Sequence, residues 1–131
     1  MAARKASCCC GALRVEVLGE PLLNAICHCD NCQRRTGSAF GWSCYFGEDH
    51  FSEIGGEALA YVFESASGRQ ERRFCADCGS TLYWRSAVFP GLVGVAGGSF
   101  APGSIGEPTL SASETRRCAW LRLPDFWQHL P

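Results

Sequence analysis

The sequence predicts a mostly-β fold in a single domain, and three observations carry that expectation. Apolar residues recur in short runs rich in β-branched and aromatic side chains. Fifteen glycines and six prolines punctuate those runs, which suits many turns. The length of 131 residues fits one domain spanning 1–131, with only a modest core.

Taken in order, residues 13–17 alternate apolar and charged side chains, and 42–46 are aromatic-rich. Residues 59–63, 72–74, 81–84 and 92–95 read as strands on the same grounds, most of them four to six residues long. Turns are expected at Gly19-Glu20-Pro21, Gly47-Glu48-Asp49, Gly55-Gly56, Ser67-Gly68, Pro90-Gly91, Gly97-Gly98 and Pro102-Gly103. One short helix is expected over 31–36, stopped by Gly37. The tail at 119–127 is apolar enough that it should pack, either on a core face or on a second copy in a homodimer.

Seven of the ten cysteines form three clusters, Cys8-Cys9-Cys10-Gly11, Cys27-His28-Cys29-Asp30-Asn31-Cys32 and Cys75-Ala76-Asp77-Cys78-Gly79. C-x-C and C-x-x-C spacing lets two sulfurs of one tight turn face one ion, and the glycine after the second cysteine accepts a left-handed backbone. Zinc is the metal such thiolate sets select. Disulfides are the rival reading, because ten cysteines are about 8 % of the chain. The stretch 1–7 has no apolar signal-peptide core, so we expect a reduced, cytoplasmic protein. No apolar run approaches the roughly 20 residues that span a bilayer.

Formal net charge is −1. Seven thiols losing protons and two Zn²⁺ added would take it to about −4. An acidic holo-protein without a Lys/Arg run argues against nucleic acid as a partner.

Counting divides the sulfurs. Cys27, Cys29 and Cys32 can wrap one loop around one ion, which leaves Cys8, Cys10, Cys75 and Cys78 to close a four-thiolate site between segments roughly 65 residues apart. The four-sulfur site reads as a structural staple. Three protein ligands leave a fourth position open, the condition for Lewis-acid chemistry or for capture of an exogenous thiolate. A closed second site with His28, Asp30 or Cys44 as fourth ligand stands as the alternative. Cys9 should point away from the metal, while Cys44 and Cys118 read as buried free thiols. His28 is expected at the surface or supporting the ligands rather than among them, and His50 and His129 lie far from any motif. Arg34 and Arg35, directly after the triple, could hold a substrate carboxylate in a bidentate pair or could be solvated.

The run Cys8-x-Cys10-Gly11-Ala12-Leu13-Arg14, then Cys27-His28-Cys29-x-x-Cys32-Gln33-Arg34-Arg35-Thr36-Gly37-Ser38-Ala39-Phe40, then Phe74-Cys75-x-x-Cys78-Gly79-Ser80, resembles the glutathione-dependent formaldehyde-activating enzyme family, also called the centromere-protein-V domain. The resemblance implies an Mss4-like fold, a folded β-sheet assembly stapled by zinc. It implies two Zn²⁺ per chain, a structural one on Cys8, Cys10, Cys75 and Cys78 and a catalytic one on Cys27, Cys29 and Cys32. It further implies a carbon–sulfur lyase that joins glutathione, or a related small thiol, to formaldehyde or another aldehyde. A zinc that already bears three thiolates is a mild Lewis acid, suited to thiol or aldehyde exchange, with Phe40, Trp42 and Trp84 as candidate pocket walls. A non-enzymatic module, its zinc serving only to rigidify a scaffold that docks a macromolecule, is the rival function.

Overall fold

The computed structural model describes residues 1–131, and its backbone is mostly β as the sequence predicts. In chain order the first elements are β1 (Ala3–Ser7), β2 (Arg14–Leu18), β3 (Leu23–Cys27), α1 (Asp30–Thr36), β4 (Gly41–Gly47), β5 (Phe51–Gly55) and β6 (Ala58–Ser65). They are followed by β7 (Gly68–Cys75), β8 (Thr81–Ser86), β9 (Leu92–Ala96), β10 (Leu110–Ala112) and β11 (Gln128–His129). Strands β1, β2 and β5 make a small antiparallel sheet in that order. The other eight make one sheet, ordered β11-β10-β3-β4-β9-β8-β7-β6.

Period-two alternation decides what each strand buries. In β2 it sends Val15 and Val17 inward with no exposed surface, while Arg14 and Leu18 face solvent. Cys44 and Phe46 of β4 and Val93 and Val95 of β9 meet them, and Leu82, Tyr83 and Phe100 complete the cluster. The core therefore lies between the small sheet and one face of the large one.

The opposite face of the large sheet is where the same alternation places Ser43 and Tyr45 of β4, Gly94 of β9, Trp84 of β8 and Arg72 of β7. Register lines four of these up, since Tyr45 pairs with Gly94, Gly94 with Trp84, and Trp84 with Arg72. The row needs glycine in its middle. A Cβ at Gly94 would come 2.2 Å from the Trp84 indole nitrogen, so only a bare backbone lets the indole lie flat across β9.

Every strand expected from the sequence forms, but β4 is seven residues long and β6 and β7 are eight, beyond the expected four to six. β1, β3, β5, β10 and β11 were not among the expected strands. β1 carries Arg4 and Lys5 in a run of five, and β10 is only three residues, so neighbouring strands rather than their own pattern define them.

The expected helix is present, one residue longer, and Gly37 ends it at φ 66° with its N–H donating to the carbonyl of Gln33. The tail does not pack its large apolar side chains on a core face of its own chain. Trp120 and Phe126 stay 70 % and 78 % exposed, because the segment is held by polar contacts rather than by apolar burial. Strand β11 runs parallel to β10, and the Trp127 indole N–H donates to Glu107 at 2.8 Å.

His129 completes that attachment, its Nδ1 2.7 Å from a Glu114 carboxylate oxygen and its Nε2 3.0 Å from the Pro124 carbonyl. Both partners only accept, so the ring satisfies both as the imidazolium. The Glu114 carboxylate accordingly raises the His129 pKa above its ordinary value, with Arg117 opposing. A raised folded-state pKa stabilises the attached tail fully below the ordinary histidine value and loses that contribution as pH rises through the raised one. Hydrogen-exchange protection factors of residues 128–130 should thus fall as pH climbs from below the ordinary histidine pKa to above the raised one, and His129→Gln should flatten that dependence.

Candidate metal centres and the adjoining cleft

Two turns bring four sulfurs together. Between β1 and β2, Gly11 at φ 81° closes the first turn, and the Cys8 Sγ accepts the Leu13 N–H at 3.2 Å. Between β7 and β8, Gly79 at φ 77° closes the second, and the Cys75 Sγ accepts the Asp77 N–H at 3.4 Å. Both glycines take the left-handed backbone expected of them. Sγ of Cys8 lies 3.6 Å from that of Cys10, which is 3.7 Å from that of Cys75. Tetrahedral zinc with Zn–S of about 2.3 Å sets neighbouring sulfurs roughly 3.8 Å apart, so the donor set fits the ion. The Cys78 thiol is pushed down to about 5, chiefly by the Ser80 hydroxyl beside it.

Cys27, Cys29 and Cys32 form the second group, their sulfurs mutually within 4.8 Å. Cys27 ends β3, Cys29 is the N-cap of α1, and Cys32 sits in its first turn with its N–H donating to the Cys29 Sγ at 3.3 Å. The strand end, cap and helix start thereby aim all three at one point. The hydrogen bond from Cys32 holds Cys27 well below the ordinary thiol range, and the same contact drives Cys32 up. Three thiolates at this spacing repel one another, and a bound cation is what would let all three ionise.

No fourth donor from this chain joins them. The Asp30 carboxylate takes Arg116 at 2.6 Å, and Cys44 is buried in the core, its thiol pushed up to about 12 by burial. His28 stays outside the sulfur group as expected, but it corrects the expectation of a surface residue. It is fully buried, since alternation from β3 carries it to the side opposite Cys27 and Cys29, and its Nε2 meets the Ser111 hydroxyl at 2.8 Å.

Beside the triple lies a cleft of about 80 Å³ between α1 and the outer face of the large sheet. Asn31, Cys32 and Arg35 come from the helix, and Tyr45, Arg72 and Trp84 from the sheet. The Arg35 guanidinium carbon stands 4.2 Å above the Trp84 ring centre. The Trp84 indole N–H donates to the Tyr45 hydroxyl at 3.2 Å.

A family model described as glutathione-dependent formaldehyde-activating enzyme matches residues 3–115. The chain belongs to this family. Among solved structures, a crystal structure of a Rhodobacter sphaeroides protein is similar at 24 % identity and a TM-score of 0.60, covering 76 % of this chain and 88 % of that one, and it supports the fold alone. A search of curated proteins returns no match. No helix is long and apolar enough to cross a membrane.

Within this family member, the two cysteine groups that could hold metal ions are those the sequence predicts, with Cys9 outside both. Of the two arginines singled out, Arg35 enters the cleft and Arg34 is exposed. Trp84 walls the cleft, whereas Trp42 turns to Gly97 and Asn24, and Phe40 meets the edge of the His28 ring. Arg72 and Tyr45 are cleft residues that sequence reasoning missed. Their alternation within β7 and β4 was the available signal, but which face carried the helix was not.

Two outcomes follow for the loaded protein. Cys32→Ser should lower zinc content, measured by elemental analysis, from about two toward one per chain, with circular dichroism little changed because the four-sulfur group is separate. Gly94→Ala should displace the Trp84 indole, seen as a shifted and broadened indole N–H resonance, while leaving zinc content at the wild-type value.

Proposed function

We propose that this chain is a zinc-dependent enzyme of the carbon–sulfur lyase type, holding two zinc ions and joining a small thiol to an aldehyde or cleaving that adduct. The ion on Cys8, Cys10, Cys75 and Cys78 is structural, and the catalytic one is on Cys27, Cys29 and Cys32. The observation that carries the reading is that Cys32 belongs at once to a three-sulfur group without a fourth protein donor and to the wall of a cleft. Membership of the formaldehyde-activating family supports it.

Zinc bound by the triple would supply an open Lewis-acid position that favours a thiolate at neutral pH. The chain's own residues do the rest. Addition forms a C–S bond at the aldehyde carbon, the thiol loses a proton, and the former carbonyl oxygen gains one. Tyr45 suits delivery of a proton to that oxygen, because burial raises its pKa and keeps the phenol protonated; the proton released by the thiol passes to water, and the phenolate recovers one from water. Its oxygen already accepts from Trp84, so its hydrogen is free to point at an oxygen in the cleft. Trp84 and the covering helix restrict water there.

Zinc-loaded protein should accelerate thiol-dependent consumption of formaldehyde, followed by proton NMR across glutathione, cysteine, 3-mercaptopropionate and 2-mercaptoethanol. Tyr45→Phe should lower kcat by about tenfold to a hundredfold with unchanged zinc content. Absence of acceleration with every thiol, together with tight binding to a macromolecule, would replace this reading with that of a docking module.

A further inference from the structure

We propose that Arg72 and Arg35 together form a carboxylate receptor beside the three-sulfur group, and that Arg72 sets a preference for thiols that carry a carboxylate. The kinetic arm rests on the enzymatic reading above, whereas the binding arm does not.

Six of the chain's arginines, Arg4, Arg69, Arg73, Arg85, Arg116 and Arg117, pair with a carboxylate of the protein. Arg14, Arg34 and Arg122 are exposed, where water solvates the charge. Arg35 and Arg72 alone are half-buried without a protein carboxylate, and they share one cleft. They come from different elements, the helix and β7, so their meeting is a product of the fold rather than of adjacent sequence.

Each guanidinium is also oriented. The Arg35 face is covered by Trp84 at 4.2 Å, and the Arg72 face by Phe63 at 4.8 Å. Stacking occupies the faces and leaves the N–H edges to donate. Arg72 spends one N–H on the Asn31 side-chain oxygen at 2.7 Å, a neutral partner that steers the group without neutralising it. Burial first, then the charge of Arg35, depresses the Arg72 pKa, so the two cations meet at an energetic cost that an anion would relieve.

The charge of the sulfur group relieves part of it, since three thiolates with one zinc carry −1. A thiolate at the open position would add a second negative charge but no acceptor shaped for a planar fork. A carboxylate on the same molecule offers two oxygens to those donors. The cleft, about 80 Å³, is well below the roughly 300 Å³ of a site that encloses a drug-sized ligand. It admits the acid end of a substrate and leaves a longer body in solvent.

Two measurements on zinc-loaded protein test the receptor. Sodium propionate, which has no thiol, should shift the Trp84 indole N–H resonance, assigned with Trp84→Phe, in the wild type and in the control Arg122→Gln. Arg72→Gln should abolish the shift, and Arg72→Lys should retain part of it. In turnover, 3-mercaptopropionate should show a KM about tenfold below that of 2-mercaptoethanol, Arg72→Gln should raise the 3-mercaptopropionate KM until the difference is erased, and Arg122→Gln should leave the difference at its wild-type size. A propionate shift that survives in Arg72→Gln, or an equal thiol preference in wild type and variant, overturns the proposal. A propionate shift lost in Arg72→Gln alongside no turnover of any thiol upholds the receptor and removes the enzymatic reading instead.

Discussion

Four sulfurs from two turns, one joining β1 to β2 and the other β7 to β8, are the constraint on which the architecture depends. Cys10 and Cys75 are 65 residues apart in sequence and 3.7 Å apart in space. The turns they occupy sit at the ends of strands from different sheets, so bringing the sulfurs together fixes how the small sheet closes over the large one. Cys8 and Cys75 are themselves part of the buried cluster that fills the space between them. In a domain of this size a cation held there would turn ligand binding into folding energy.

The second sulfur group is built differently. It is made by a single passage of chain from β3 into α1, and it lies on the other side of the large sheet from the core. Its surroundings are set by the row Tyr45, Gly94, Trp84 and Arg72 across four neighbouring strands. Gly94 leaves space for an indole, the indole supports a guanidinium, and the helix closes the row from above. The apolar core and the half-buried cleft thus occupy opposite faces of one sheet, which explains how the outer face can carry half-buried charge without disturbing the apolar interior.

The helix is secured from both sides. Gln33 reaches the carbonyls of His28 and Arg116, and Asp30 takes the Arg116 guanidinium. Ser113, in the same following segment and at φ 58°, places its hydroxyl 3.7 Å from the Cys27 sulfur. The segment after β10, itself held by β11, therefore acts as a brace for the three-sulfur loop. The polar contacts that hold the exposed tail thus give it a structural role that its apolar composition does not suggest.

The metal groups were legible in the sequence because each pair of sulfurs lies within one turn, and the division into four and three follows from counting. The strands with strong alternation and the helix stop at Gly37 were legible for the same reason, since backbone preferences act over a few residues. The short or charged strands β1, β10 and β11 were not, because only pairing with neighbours defines them. Arg35 could be suspected from its place after the triple, yet Arg34 next to it had equal claim, and helical rotation alone separates them. Arg72, Tyr45 and the interior placement of His28 came only with the tertiary structure, because the face a strand residue occupies is decided by what packs against it. Local spacing determined which residues could bind metal; the packing of distant strands decided what stands beside those sulfurs.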